Sequence, residues 1–142
     1  MASSLPDPSS VPPGGPPVIA IVDDDPRIRD LVEAELQDEG YSPRSLPSAA
    51  ALVQLVQGEW VDLVLLDLMM PGQDGISCTR VLRQLGYAGK IVIVTALNDL
   101  HHRQDAQAAG ANAYILKPEL VADLAGLIRT MLEPGERQEP QG

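Results

Sequence analysis

The chain has 142 residues, about one domain by the usual prior, with 44% hydrophobic residues and a formal net charge of −10. That negative balance argues against a nucleic-acid face and against an anionic membrane surface, both of which call for clustered Lys and Arg. The single Cys78 allows no internal disulfide, no Cys/His spacing suggests zinc, and no apolar stretch suits a signal peptide or a bilayer span, so a cytoplasmic protein is expected.

Residues 1–17 are mostly Pro, Ser and Gly and are read as a disordered or polyproline-like tail. A first strand is predicted over 18–23. It is followed by a helix whose Ile28, Leu31, Val32 and Leu36 keep helical spacing and which stops at Gly40. A weaker strand, 41–45, contains Pro43, which a central strand would not tolerate, so it is placed at an edge. The second helix, 48–57, has Ser48 as its N-cap and Leu52, Val53, Leu55 and Val56 as apolar residues. Strand three covers 61–67, and the third helix, 75–86, presents Cys78, Val81, Leu82 and Leu85 on one face. Strand four covers 90–95. An alanine-rich helix over 99–109 leads to strand five, 112–117, and to a last helix, 119–132, with Leu120, Leu124, Leu127, Ile128 and Met131 aligned. Residues 133–142 have linker composition and are read as a C-terminal tail or linker.

Five strand–helix repeats imply a parallel sheet covered on both faces. The runs Val61–Leu66 and Ile91–Val94 are continuously apolar, as central strands of such a sheet should be. With strand two at an edge, the expected architecture is a flavodoxin-like doubly wound α/β fold, five strands in the order 2-1-3-4-5. In such sheets ligands bind at the carboxyl ends of the strands, near the switch point between strands one and three.

The polar residues fall at those ends. Asp23, Asp24 and Asp25 follow the first apolar run directly, Asp67 ends strand three, Thr95 ends strand four, and Lys117-Pro118 ends strand five. A lone Asp in such a place is usually a helix cap, and a lone Thr or Lys is more often structural. Four strands that deliver acids, a hydroxyl and an ammonium to one edge point instead to a site. Crowded carboxylates raise one another's pKa unless a cation neutralises them, and Mg²⁺ is the hard oxygen-seeking ion that suits them.

These residues resemble the receiver domain of two-component response regulators, of the chemotaxis-regulator-like kind, over roughly 18–132. The motifs that carry the resemblance are Ile-Val-Asp-Asp-Asp-Pro (21–26), Val-Leu-Leu-Asp-Leu-Met-Met-Pro-Gly (64–72), Asp-Gly (74–75), Val-Thr-Ala (94–96) and Tyr-Ile-Leu-Lys-Pro (114–118). The resemblance implies that Asp67 is the phosphoacceptor. It gives the Mg²⁺ ligands as Asp24, Asp67 and the backbone carbonyl of Met69, with Asp23 acting largely through water. It makes Thr95 a hydroxyl donor to the phosphoryl group and Lys117 its cationic partner, placed by a cis bond before Pro118. Asp25 is expected as a first-turn acid of the first helix, with no metal role. Thr95 and Tyr114 would form a switch that biases the face of helix four, strand five and helix five, through which a phosphorylation-dependent homodimer could form.

The partners so implied are a sensor histidine kinase or phosphotransfer protein upstream, and a downstream protein or a further output domain. The chain would catalyse only its own phosphorylation and slow dephosphorylation. The apolar Met69 and Leu97 beside the site suggest a long-lived phosphoryl group. Gln73 and Glu119 depart from the residues common in the family, at places that bear on the output face. A dehalogenase-like phosphatase would need an acid where Met69 stands, and a flavin binder would not place three aspartates in its phosphate loop. A phosphate-independent pseudo-receiver, serving as an interaction scaffold, is the alternative; it usually lacks a site residue, and none is missing here. His101 and His102, adjacent on a helix, diverge and are read as solvated residues. Trp60, seven residues before Asp67 on an extended run, is expected about 23 Å away at the other end of the sheet.

Overall fold

The computed structural model describes residues 5–10, 14–70, 72–96 and 99–132, the side chains of Ser10 and of residues 118–121 excepted. After a 3-10 turn at Pro8–Ser10, five strands alternate with five helices: β1 Val18–Val22, α1 Pro26–Asp38, β2 Ser42–Leu46, α2 Ala49–Gly58, β3 Leu63–Asp67, α3 Gly75–Leu85, β4 Lys90–Thr95, α4 Leu100–Ala109, β5 Ala113–Leu116 and α5 Lys117–Leu132. The strands form one parallel sheet in the order β2-β1-β3-β4-β5, as the apolar runs and Pro43 predict.

Strand parity divides the core into two layers. Val18, Ala20 and Val22 of β1, Val64 and Leu66 of β3, and Ile91 and Ile93 of β4 face Leu52 and Val56 of α2, Cys78 and Leu82 of α3, and Ala106 and Ala109 of α4. Ile19, Ile21, Leu63, Leu65, Val92 and Val94 face the other way, against Val32 and Leu36 of α1 and Leu124 and Ile128 of α5. Burial on both faces explains why the three central strands are continuously apolar. In α1 the buried stripe is Val32 and Leu36, with Ile28 packed beside it. Leu31, expected on that face, is 50% exposed, because its neighbour Val32 already points at the sheet and consecutive helical residues lie about 100° apart.

Caps set the helix starts. Asp25, Ser48, Asp74 and Asp99 each accept a backbone N–H of the first turn of α1, α2, α3 and α4. Ahead of β1, the carbonyl of Pro17 accepts from Ser42 N–H at 2.9 Å, and Leu5 packs against the core layer that includes α2. Leu5, Pro6 and Pro17 are half-buried, while residues 7–9 and 14–16 are exposed. The expectations attached to Leu97 and the 133–142 segment lie outside the described residues, as do the side chains of Pro118, Glu119 and Leu120. No cis peptide bond occurs among the described residues. No helix among them is long and apolar enough to cross a membrane.

Candidate functional site

The site is assembled where four strands stop. β1 ends at Val22 and passes the chain into Asp23, which is 3% exposed. Its carboxylate accepts the Asp25 N–H at 2.9 Å, and Arg29 of α1 reaches back to its backbone carbonyl at 2.7 Å. This fixes the turn on which Asp24 stands exposed. Asp25 is the N-cap itself rather than a first-turn residue: it accepts the Arg27 N–H at 2.9 Å and pairs with the Arg27 guanidinium at 3.1 Å. Its side chain is thereby committed to α1.

Asp67 is the last residue of β3 and is 2% exposed. Asp23, Asp24 and Asp67 each offer an oxygen within 4.8 Å of the others, and they are the one such acid or histidine group among the described residues. Lys117 places its Nζ 3.2 Å from Asp23 and 3.4 Å from Asp67. One ammonium against three carboxylates leaves a formal excess of two negative charges. Burial, then the Asp23 carboxylate, pushes the Asp67 pKa up to about 6, against the opposing pull of Lys117 and of the Met69 N–H. For Lys117, burial works to lower the pKa, but Asp67 and Asp23 together outweigh it and hold the ammonium above its ordinary value. An all-oxygen, net-negative, partly desolvated donor set fits a hard divalent cation such as Mg²⁺. Met69 follows two residues after Asp67. Its N–H donates to Asp67 Oδ1 at 3.3 Å and its side chain is 59% exposed.

Glycines shape the loop from β3 into α3. Gly72 has φ +88°, a conformation that other residues rarely adopt. Gly75 is needed for a different reason: a Cβ there would stand 2.6 Å from the Asp67 carbonyl oxygen. The first turn of α3 therefore packs directly under Asp67.

Thr95 closes β4, fully buried, one residue beyond Val94, which pairs with Asp67 across β3 and β4. In β5, Leu116 pairs with Thr95 and Tyr114 with Ile93, so Thr95 and Tyr114 lie on the same face of neighbouring strands, offset by one pleat repeat. Ala96 is exposed beside the site. Every strand-end residue expected from the sequence is thus brought to the same edge of the sheet.

Several contributors carry no local signal in the sequence. Arg103 of α4 lies over the Tyr114 ring, 4.6 Å from its centroid, and donates to the Tyr114 carbonyl at 3.4 Å. Arg83 at the end of α3 binds backbone carbonyls of two loops. Asp62 takes the Val18 N–H at 2.7 Å and the Trp60 indole at 2.8 Å. Trp60 packs against Tyr87, the two rings tilted by 40° with centroids 5.9 Å apart, before β3 begins and at the opposite end of the sheet from Asp67. His101 is exposed, while His102 is half-buried with Nδ1 3.3 Å from the Asp99 cap, so only the first of the pair is a freely solvated ring.

The family model for the response regulator receiver domain matches residues 19–129. The transcriptional regulatory protein AruR of Pseudomonas aeruginosa is 40% identical over 122 residues, covering 80% of this chain and 50% of that protein. Protein PetR of Rhodobacter capsulatus is 38% identical over 122 residues, 83% of this chain and 51% of its own. The chain thus spans about half the length of the curated relatives it matches. Among solved structures, a CheY-like receiver domain protein from Methanospirillum hungatei superposes with a TM-score of 0.81 at 30% identity, covering 88% of this chain and 100% of that one. The BeF3-activated N-terminal receiver domain of Klebsiella pneumoniae RstA gives 0.77 at 33% identity, over 82% of this chain and 99% of its own. With the fold, the acid cluster and the order of its motifs all of this type, the chain belongs to the response regulator receiver family.

Proposed function

We propose that this receiver accepts a phosphoryl group on Asp67 from a histidine kinase or phosphotransfer protein and passes the change to a partner. The observation that carries this reading is the Asp67 carboxylate itself. It is buried beside a second buried acid, with one ammonium at 3.4 Å, at the open edge of the sheet. A carboxylate so desolvated is a stronger nucleophile than one in water.

An Asp67 oxygen attacks the donor phosphorus. A P–O bond forms while the bond to the donor's nitrogen or acyl oxygen breaks, and the leaving group departs with the bonding pair. Lys117, already between Asp23 and Asp67, turns its positive charge toward the developing phosphoryl oxygens, and the Thr95 hydroxyl donates to one of them. Asp23, Asp24, Asp67 and the Met69 carbonyl would hold Mg²⁺, which when bound supplies charge neutralisation at the phosphoryl oxygens. Arg29 and the Asp25 cap position the β1 acids through the backbone. Met69, apolar and exposed at the rim, restricts water attack and favours a long-lived phosphoryl group.

The remaining parts of the proposal rest on this one. Residues 18–132 act as the receiver, 1–17 as a tail and 133–142 as a tail or linker. Thr95 and Tyr114 convey the change to the face of α4, β5 and α5, where a downstream protein, an output domain or a second copy would dock. The setting would be cytoplasmic, and self-phosphorylation with slow dephosphorylation the only catalysis. The test is intact mass after incubation with Mg²⁺ and acetyl phosphate, beside Asp67→Asn. A single phosphoryl adduct on the wild type alone is expected. No adduct despite bound Mg²⁺ would overturn the reading in favour of a phosphate-independent scaffold.

A further inference from the structure

The two ends of α4 are held in different ways. At its carboxyl end, Ala106 and Ala109 are the buried residues of the helix, and Gly110 follows. The Gly110 carbonyl is gripped by Arg83 of α3, which donates from Nε at 3.1 Å and from Nη2 at 2.9 Å. The same guanidinium donates from Nη1 to the carbonyls of Tyr87 and Gly89, each at 2.8 Å, and from Nη2 to Asn112 Oδ1 at 3.0 Å. A guanidinium has five N–H donors, and each has an acceptor here. Asn112 is in turn fixed to β4: its Oδ1 accepts the Ile91 N–H at 2.8 Å, and its own N–H donates to the Ile91 carbonyl at 2.7 Å. Packing is as tight as the bonding, since a Cβ at Gly110 would come within 2.8 Å of the Arg83 chain.

Among the described residues, the amino-terminal half shows no comparable set of bonds to the rest of the fold. Leu100 is 67% exposed, and His101, Arg103, Gln104 and Asp105 all face solvent. Among the described residues, Arg103 ties this half to the sheet: it lies across the Tyr114 ring at 4.6 Å and donates to the Tyr114 carbonyl. This half also adjoins the end of β4, where Thr95 stands. A planar cation over an aromatic face at an exposed site is a weak contact, easily exchanged for water. Five charge-assisted hydrogen bonds to backbone and amide oxygens are not.

We infer that Arg83 is the pivot of the receiver's switch. The carboxyl end of α4 stays fixed on α3 and β4, its amino-terminal end swings, and the Arg103–Tyr114 stack is the catch that Tyr114 releases. This rests on the phosphoacceptor reading for what triggers the release, but not for the mechanics. Each side chain is therefore a positioning residue: neither touches the carboxylate cluster, and each acts through α4.

The test is amide hydrogen exchange by mass spectrometry on the full chain, comparing wild type, Arg83→Gln, Arg83→Lys and Arg103→Ala. Each is measured alone and with Mg²⁺ and beryllofluoride, a phosphoryl mimic. Without the mimic, Arg103→Ala should speed exchange in residues 99–105 by about tenfold and leave 107–113 unchanged, whereas Arg83→Gln should speed 107–113 by at least as much. With the mimic, the wild type should change in 99–105 alone. Arg103→Ala, at an exposed position, keeps the test decisive if Arg83→Gln does not fold, and Arg83→Lys should recover part of the protection. Equal changes in both halves of α4, or an unchanged 107–113 segment in a folded Arg83→Gln, would overturn the pivot. No response to beryllofluoride in any variant, with the mimic-free differences intact, would instead count against the phosphoacceptor reading and leave the pivot standing.

Discussion

At the carboxyl end of the sheet three carboxylates lie within 4.8 Å of one another and face one ammonium. At the amino end Arg83 has an acceptor for every N–H, Asp62 holds two donors, and the Tyr87 hydroxyl donates to the Val61 carbonyl at 2.7 Å. Both ends are polar and largely withdrawn from water, yet one leaves its charges unbalanced and the other satisfies its groups. Buried polar groups stabilise a fold only when paired. The amino end therefore holds the sheet together, while the carboxyl end carries an excess of negative charge that a bound cation would relieve.

Removing Arg83 should test the satisfied end most severely. Arg83→Gln leaves the Gly110, Tyr87 and Gly89 carbonyls short of a donor, and chemical denaturation should show a loss of about 2–4 kcal/mol. A loss under about 0.5 kcal/mol would mean water replaces the guanidinium and the two ends do not differ as described.

At the other end the sign reverses. Asp67→Asn removes a crowded charge, so in metal-free buffer at pH 8 the variant should be more stable than the wild type by roughly 1–3 kcal/mol. The pH dependence follows from the same shift. Asp67 has a folded pKa of about 6, above the ordinary 3.8. Between those values the folded chain keeps a proton that the unfolded chain has lost, so stability falls as pH rises through the window. Wild type and variant should have similar melting temperatures near pH 4 and diverge up to about pH 7, with chelator present. Parallel curves would show that the crowding costs nothing. The smallest effect is expected from Trp60: packed against Tyr87 at the satisfied end, its fluorescence should not change when Mg²⁺ is added. A clear change would mean the two ends are coupled through β3.

What could be read from the sequence follows the same division. Asp23, Asp24, Asp67, Thr95 and Lys117 were legible because each interrupts or ends an apolar run, and the parallel fold requires such ends to converge. Ser48 as a cap was legible from its immediate neighbours. Arg83 was not, since its acceptors at Gly110 and Asn112 are 27 and 29 residues away, and nothing near it in the chain marks it as different from a surface arginine. Asp62 had the same difficulty, with its Val18 partner 44 residues distant. Leu31 was misplaced because helical spacing alone gives a stripe wide enough to include it, and only the position of the sheet narrows that stripe to Val32 and Leu36. Leu5 lay inside a segment whose composition promised no burial, yet a single leucine sufficed to join the core.

The strand register acts as the ruler of the site. Asp67 pairs with Val94 and Thr95 with Leu116, so which atoms meet is decided by where each strand stops. Side chains alternate between the two faces of a strand, so one extra residue inside β4 would turn Thr95 from the layer containing Ile93 toward the layer containing Val94. The hydrophobic core would tolerate such an insertion poorly, because the buried valines and isoleucines between it and Thr95 would change sides as well. A change in length is thus accommodated in the loops rather than in the strands, and the spacing between acid, hydroxyl and ammonium is set by the sheet itself.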